Sequence, residues 1–281
     1  MKQRILTGLI GACIVIPCVI FMHYLPFPIL IALISAVGVY EIIHAVGCRN
    51  KAIYVISIIT AAVIPFLFHY HLTDKIPLLP AAVIYTLAYL IIMVLGYSKT
   101  TFADAVISLF STFAVPVSMS MLISLRDVYI SYPEKFDKYA GIFLILYSFF
   151  AAWGTDIFAY FVGRKLGKHK LCPEISPKKS VEGAIGGILG AIAVSEILFI
   201  VFDRFFFTFH TLTWYHILAV TVILSVISMF GDLSASVIKR NHGVKDFGKL
   251  LPGHGGVMDR FDSMLFVLPS LYLAVWIIEQ I

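Results

Sequence analysis

The chain has 281 residues, 60% hydrophobic and only 13% charged, with a formal net charge of +5. A water-soluble domain is nearer a quarter charged, and a core of this size cannot bury apolar runs that recur from Ile5 to Ile278. A mean hydropathy of +0.96 makes the bilayer the solvent for most side chains, which excludes a soluble globular protein and predicts an all-α, polytopic membrane fold.

Nine spans are predicted in chain order, at about 4–22, 28–46, 52–69, 77–95, 102–124, 141–163, 182–202, 213–230 and 262–279. The first follows Lys2 and Arg4 as a signal peptide would. It is long enough to cross and lacks a small-residue cleavage site, so a retained helix is expected. The fifth is diluted by Asp104, Ser108, Ser111, Thr112 and Pro116. In the seventh, Gly183, Gly186, Gly187 and Gly190 make two overlapping GxxxG patterns, which predict a close helix-packing face. Phe205, Phe206, Phe207 and Phe209, followed by Trp214 and Tyr215, read as an outer-interface aromatic belt. Cys13, Cys18, Cys48 and Cys172 form no CxxC pair, so neither a disulfide framework nor a zinc site is expected. Residues 1–140 therefore read as an N-terminal region of five spans. Residues 141–281 read as a C-terminal region of four, carrying polar loops at 164–182 and 231–262.

Charge sets the orientation. With the N-terminus in the cytoplasm, the inner segments hold sixteen of the 21 Lys and Arg residues. The outer segments keep Lys75, Arg126, Lys135, Lys138 and Arg204. Cytoplasmic loops carry such an excess, so both polar loops are expected inside and the C-terminus outside.

Attraction to anionic headgroups explains Arg49, Lys51 and Lys99 well enough. It fits the second polar loop poorly, because cations alternate there with carboxylates at helical intervals. Asp232, Ser236, Lys239 and Arg240 fall at i, i+4, i+7 and i+8, on one face of a helix continuing from the eighth span. Asp259 and Asp262 are i, i+3 neighbours at the mouth of the ninth. Between them, GKLLPGHGG cannot easily continue a helix and lets backbone approach a ligand closely.

Carboxylates near a membrane are costly unless paired with cations or metal. Asp232, Asp246, Asp259 and Asp262 among Lys239, Arg240, Lys245, Lys249 and Arg260 have the composition of a phosphate site with divalent metal. Structural salt bridges sealing helix ends are the competing explanation. Asp156 lies inside the sixth span, roughly 10 Å from its cytoplasmic end at helical rise. It is either a functional residue or the buried partner of a lysine from the next loop. His254, with glycines around it and no second His or Cys at ligand spacing, points to phosphate contact rather than metal.

From Ser236 to Asp262 the run S-x-x-K-R-x4-K-D-x-G-x2-L-P-x-H-G-G-x2-D-R-x-D resembles the signature of the phosphatidate cytidylyltransferase (CDP-diacylglycerol synthase) family. Upstream, Asp156 to Arg164 reads D-I-F-A-Y-F-V-G-R where the family has D-T-x-A-Y-x-x-G-R, a departure at Ile157. Gly167, Lys168 and Ile175 through Ser180 to Gly183 are also similar. The resemblance covers about 153–262, and the first five spans match only as generic hydrophobic helices.

It implies a plasma-membrane enzyme of phospholipid biosynthesis that joins CTP and phosphatidate into CDP-diacylglycerol and pyrophosphate, with Mg2+, as a homodimer. It leaves open whether a monovalent cation shares the site. The expected partners are the two substrates and the bilayer, with no nucleic acid. On this resemblance Asp232 and Asp259 hold the metal, with Asp246 or Asp262 as further ligands. Lys239, Arg240, Lys245 and Arg260 hold the phosphates, and His254, Gly255 and Gly256 line the triphosphate. Ser176, Lys178, Lys179 and Ser236 complete the substrate contacts, and Asp156 steadies a lysine or second cation from below. Two rival readings remain. A CTP-dependent lipid kinase would release CDP instead of pyrophosphate. A transporter is disfavoured, because the polar residues gather at one face and in one half.

Overall fold

The computed structural model describes residues 11, 13–206 and 212–280. Among them, eight helical stretches are long and apolar enough to cross a bilayer. Seven are single helices: α1 (Pro26–Ala45), α2 (Lys51–His69), α3 (Leu78–Leu95), α4 (Phe102–Arg126), α5 (Ala140–Leu166), α6 (Val181–Phe205) and α7 (Trp214–Asn241). The eighth, Met258–Ile278, joins a short turn α8 (Met258–Phe261) to α9 (Met264–Gln280). These are the second to ninth predicted spans. Of the first, at 4–22, residues 4–10 and 12 lie outside the described residues, and residues 13–20 are helical. Phe207 and Phe209 of the aromatic belt also lie outside them.

The chain divides into two compact units, Met1–Ile123 with Lys239–Phe261, and Ser124–Ile238 with Asp262–Ile281. In the first, α1 packs on α2. Asn50 starts α2, its side chain accepting the Ala52 N–H at 3.0 Å. A hydrogen bond of 3.1 Å joins Ser57 of α2 to Tyr89 of α3. Of the polar residues that dilute the fifth predicted span, Asp104, Ser111 and Thr112 are engaged locally. Thr101 and Asp104 cap α4 reciprocally at 3.1 Å, and the Ser111 and Thr112 hydroxyls donate to the Ser108 carbonyl at 3.0 and 2.6 Å. Satisfied this way, they cross the membrane at little cost.

In the second unit α5 and α6 pack closely together. A Cβ on Gly183 would sit 2.8 Å from the Ala159 carbonyl, and one on Gly187 would sit 2.7 Å from that of Thr155. The predicted glycine face is thus the contact itself. Hydroxyls join α5 to α7: Tyr147 to Thr221 at 2.8 Å and Thr155 to Ser225 at 2.9 Å.

The first polar loop is an antiparallel hairpin of β1 (Lys170–Cys172) and β2 (Ser176–Ser180), with Lys170 opposite Ser180. Ser180 ends the hairpin and caps α6, its hydroxyl oxygen accepting the Gly183 N–H at 3.1 Å. Glu182 accepts the Lys168 N–H at 3.0 Å and meets the His169 ring at 2.6 Å, which ties the other end of the hairpin to the same helix. Ser180→Ala is expected to cost about 1 kcal/mol. Differential scanning would show it as a fall of about 2 °C in the unfolding midpoint.

Candidate active site

Helix α7 ends in a Schellman motif that begins the signature loop. Gly243, at φ +67°, donates to the Arg240 carbonyl at 3.1 Å, and Val244 donates to that of Lys239 at 2.9 Å. The Arg240 guanidinium donates to the Val244 carbonyl at 3.2 Å. Further on, Leu251-Pro252-Gly253-His254 makes a type II turn. Proline takes its second position, Gly253 its positive φ of +78°, and His254 N–H donates to the Leu251 carbonyl at 2.8 Å. The Leu251 N–H then donates to the Gly255 carbonyl at 2.9 Å, closing the turn into a rigid tip.

Asp259 holds this loop from within. Its Oδ1 accepts from the Lys239 ammonium at 2.7 Å, and its Oδ2 accepts the N–H groups of Phe247 and Gly256 at 2.9 and 3.0 Å. Asp259 is 9% exposed and Lys239 7%, so the ion pair is almost dry. The Lys239 ammonium also lies 5.0 Å from the centre of the Phe247 ring. Breaking such a pair from one side strands a buried charge.

Around the turn lies a cleft of about 640 Å³, lined by Lys245, Asp246, Lys249, His254 and Arg260 among others. The backbone of Gly248, Gly253 and Gly255 completes its wall. Three cations against one carboxylate favour an anion of high charge, and the glycines let it approach the backbone. His254 Nδ1 is shielded from solvent and has no protein hydrogen-bond partner in the structure.

Among the described residues, no three His, Cys, Asp or Glu side chains converge as a metal-binding group. A hard cation here would therefore rest on one or two carboxylates and on substrate phosphates, which is how magnesium is usually held. Asp246 and Asp259 flank the same glycine: a Cβ on Gly255 would lie 3.1 Å from Asp259 Oδ2 and 3.6 Å from Asp246 Cγ. Carboxylate oxygens are the hard donors that magnesium takes; Asp246 lines the cleft, while both oxygens of Asp259 already accept hydrogen bonds.

The remaining expected residues belong to the second unit. Lys179, on β2, meets Asp232 of α7 at 2.6 Å. Ser236 is buried one turn beyond Asp232, and Ser176 and Lys178 stand on β2. The Ser263 hydroxyl donates to Asp156 at 3.4 Å, and the Ser263 N–H donates to Asp262 at 2.9 Å. Each unit thus collects part of the expected set.

Sequence reasoning passed over Glu41 in α1, which accepts hydrogen bonds from the backbone of Val257 at 3.1 Å and Met258 at 2.8 Å. The rule that singled out Asp156, a carboxylate inside an apolar span, applies to it equally.

Membrane-crossing helices that end in a cationic, glycine-walled cleft define an integral-membrane enzyme acting on phosphoryl groups. Comparison with known proteins narrows the class. Residues 2–278 match the Cytidylyltransferase family. A phosphatidate cytidylyltransferase of Bacillus subtilis (strain 168) is 35% identical over 280 residues, covering 97% of this chain and 96% of that protein. One from Staphylococcus haemolyticus (strain JCSC1435) is 34% identical over 278 residues, covering 96% and 97%. Another, from Staphylococcus aureus (strain COL), is 32% identical over 274 residues, again covering 96% and 97%. The chain belongs to the cytidylyltransferase family.

Proposed function

We propose that this protein transfers the cytidylyl group of CTP to phosphatidate, releasing pyrophosphate and making CDP-diacylglycerol. The observation that carries the reading is the cleft of Lys245, Lys249, His254 and Arg260 around the Leu251–His254 turn, in a chain similar to phosphatidate cytidylyltransferases over nearly its whole length. An oxygen of the lipid phosphate attacks the α-phosphorus of CTP. The bond from that phosphorus to the α–β bridging oxygen breaks, and pyrophosphate leaves with the electron pair. The lipid phosphate is itself the nucleophile, so catalysis reduces to alignment and charge stabilisation.

Lys245, Lys249 and Arg260 neutralise the triphosphate, and His254 offers its ring to a phosphate oxygen. Asp259 keeps Lys239 and the loop backbone in place. Asp246, with Asp259 beside it, would hold magnesium, which would supply positive charge against that building on the leaving pyrophosphate. The sixteen inner basic residues support a cytoplasmic N-terminus and loop, with the C-terminus outside. The family resemblance supports a homodimer.

The direct test is pyrophosphate release from detergent-purified protein given CTP, magnesium and phosphatidate, each omitted in turn. Release only with all three is the expected result. CDP appearing with a lipid alcohol would overturn the reading in favour of γ-phosphate transfer.

A further inference from the structure

We infer that Glu41, in the first described membrane helix, is a positioning residue for the nucleotide loop, an inference that rests on the cleft binding CTP. Glu41 is the one acidic residue of α1 and is 3% exposed. An acidic side chain buried there must have its charge met by donors. The donors are main chain: the Val257 N–H reaches one carboxylate oxygen at 3.1 Å and the Met258 N–H the other at 2.8 Å.

The same carboxyl explains two glycines of the signature. A Cβ on Gly248 or on Gly256 would collide with the Glu41 carboxyl group. These positions are glycine because Glu41 stands against them. One turn earlier, Gly38 faces the Met258 side chain, so the contact runs along the helix face. The loop is therefore clamped by two buried carboxylates. Glu41 takes the N–H groups of 257 and 258, and Asp259 takes those of 247 and 256. Between the clamped points lie Lys249, the Leu251–His254 turn and Gly255, all of which line the cleft. Glu41 is not itself one of the residues that line the cleft. It acts by fixing the backbone that presents them.

Glu41→Gln keeps the shape but replaces one acceptor with an amide that faces an N–H. A lost hydrogen bond to a charged group of this kind is expected to raise KM for CTP about tenfold or more, with KM for phosphatidate changing far less. Hydrogen exchange on the purified full-length protein should quicken at the amides of Gly256 to Met258 and remain unchanged in α5 and α6. Wild-type exchange at those amides, or a KM for CTP that does not move, would overturn the inference.

Where Glu41→Gln does not yield folded protein, a double-mutant cycle decides. Gly256→Ala should be much less damaging in a Glu41→Ala background than alone, because the clash has been removed, and additive effects would overturn the clamp. The function and the inference fail separately. Wild-type protein that makes no pyrophosphate from CTP and phosphatidate refutes the function, while the exchange result still judges Glu41.

Discussion

Asp259→Asn is expected to lower pyrophosphate release by about a thousandfold, the consequence of losing charged hydrogen bonds at a buried site. The carboxylate meets an ammonium and two backbone N–H groups. Asparagine has a single acceptor oxygen, and its amide nitrogen must then point at a donor. With the oxygen toward Lys239, the N–H groups of Phe247 and Gly256 lose their acceptor and the loop springs open. With the oxygen toward the loop, the Lys239 ammonium is left buried beside an amide. Either arrangement moves the cleft and removes a negative charge suited to magnesium. The measurement is turnover at saturating CTP and phosphatidate, with the unfolding midpoint taken alongside. Near-normal turnover would show that neither the anchoring nor the metal role belongs to this carboxylate.

Gly187→Leu is expected to destabilise the second unit by about 3 kcal/mol, the upper range for overpacking a tight contact. Even the first carbon of the new side chain would lie 2.7 Å from the Thr155 carbonyl and 3.0 Å from the Ala159 Cβ. Both belong to α5, whose backbone cannot yield alone because Thr155 is also bonded to Ser225 at 2.9 Å. Separating α5 from α6 would also drag on the hairpin, whose Ser180 caps α6. Thermal unfolding in detergent reads the loss. Leu189→Ala, two residues further along α6 at a position 63% exposed, is the comparison, expected to change stability by under about 0.5 kcal/mol. Equal effects at the two positions would refute the packing argument.

The spans were legible because hydropathy is a summed property that tolerates errors at single residues. The predicted 28–46 corresponds to Pro26–Ala45, and 182–202 to Val181–Phe205. The predicted eighth span, 213–230, marks only the apolar part of α7, which continues to Asn241 as the Asp232 to Arg240 face requires. The signature loop was legible as chemistry, since glycines, cations and carboxylates at fixed spacing have few other uses. The hairpin at 170–180 was not, because Ser176 to Ser180 has no alternating apolar face and pairs through its backbone. Glu41 itself stands out as a carboxylate in an apolar span, but its contact was illegible for a different reason. Its partners lie 216 and 217 residues away, and no local pattern announces so distant a contact.

That distance also bears on synthesis. At ribosomal rates of about 5–20 residues per second, Glu41 is made roughly 10 to 40 s before Val257. Throughout that interval the 1–123 part of the first compact unit carries an acidic side chain whose native donors do not yet exist. Only a chain translated past Met258 can supply Glu41 with its native donors, and an interrupted one leaves that carboxyl without them.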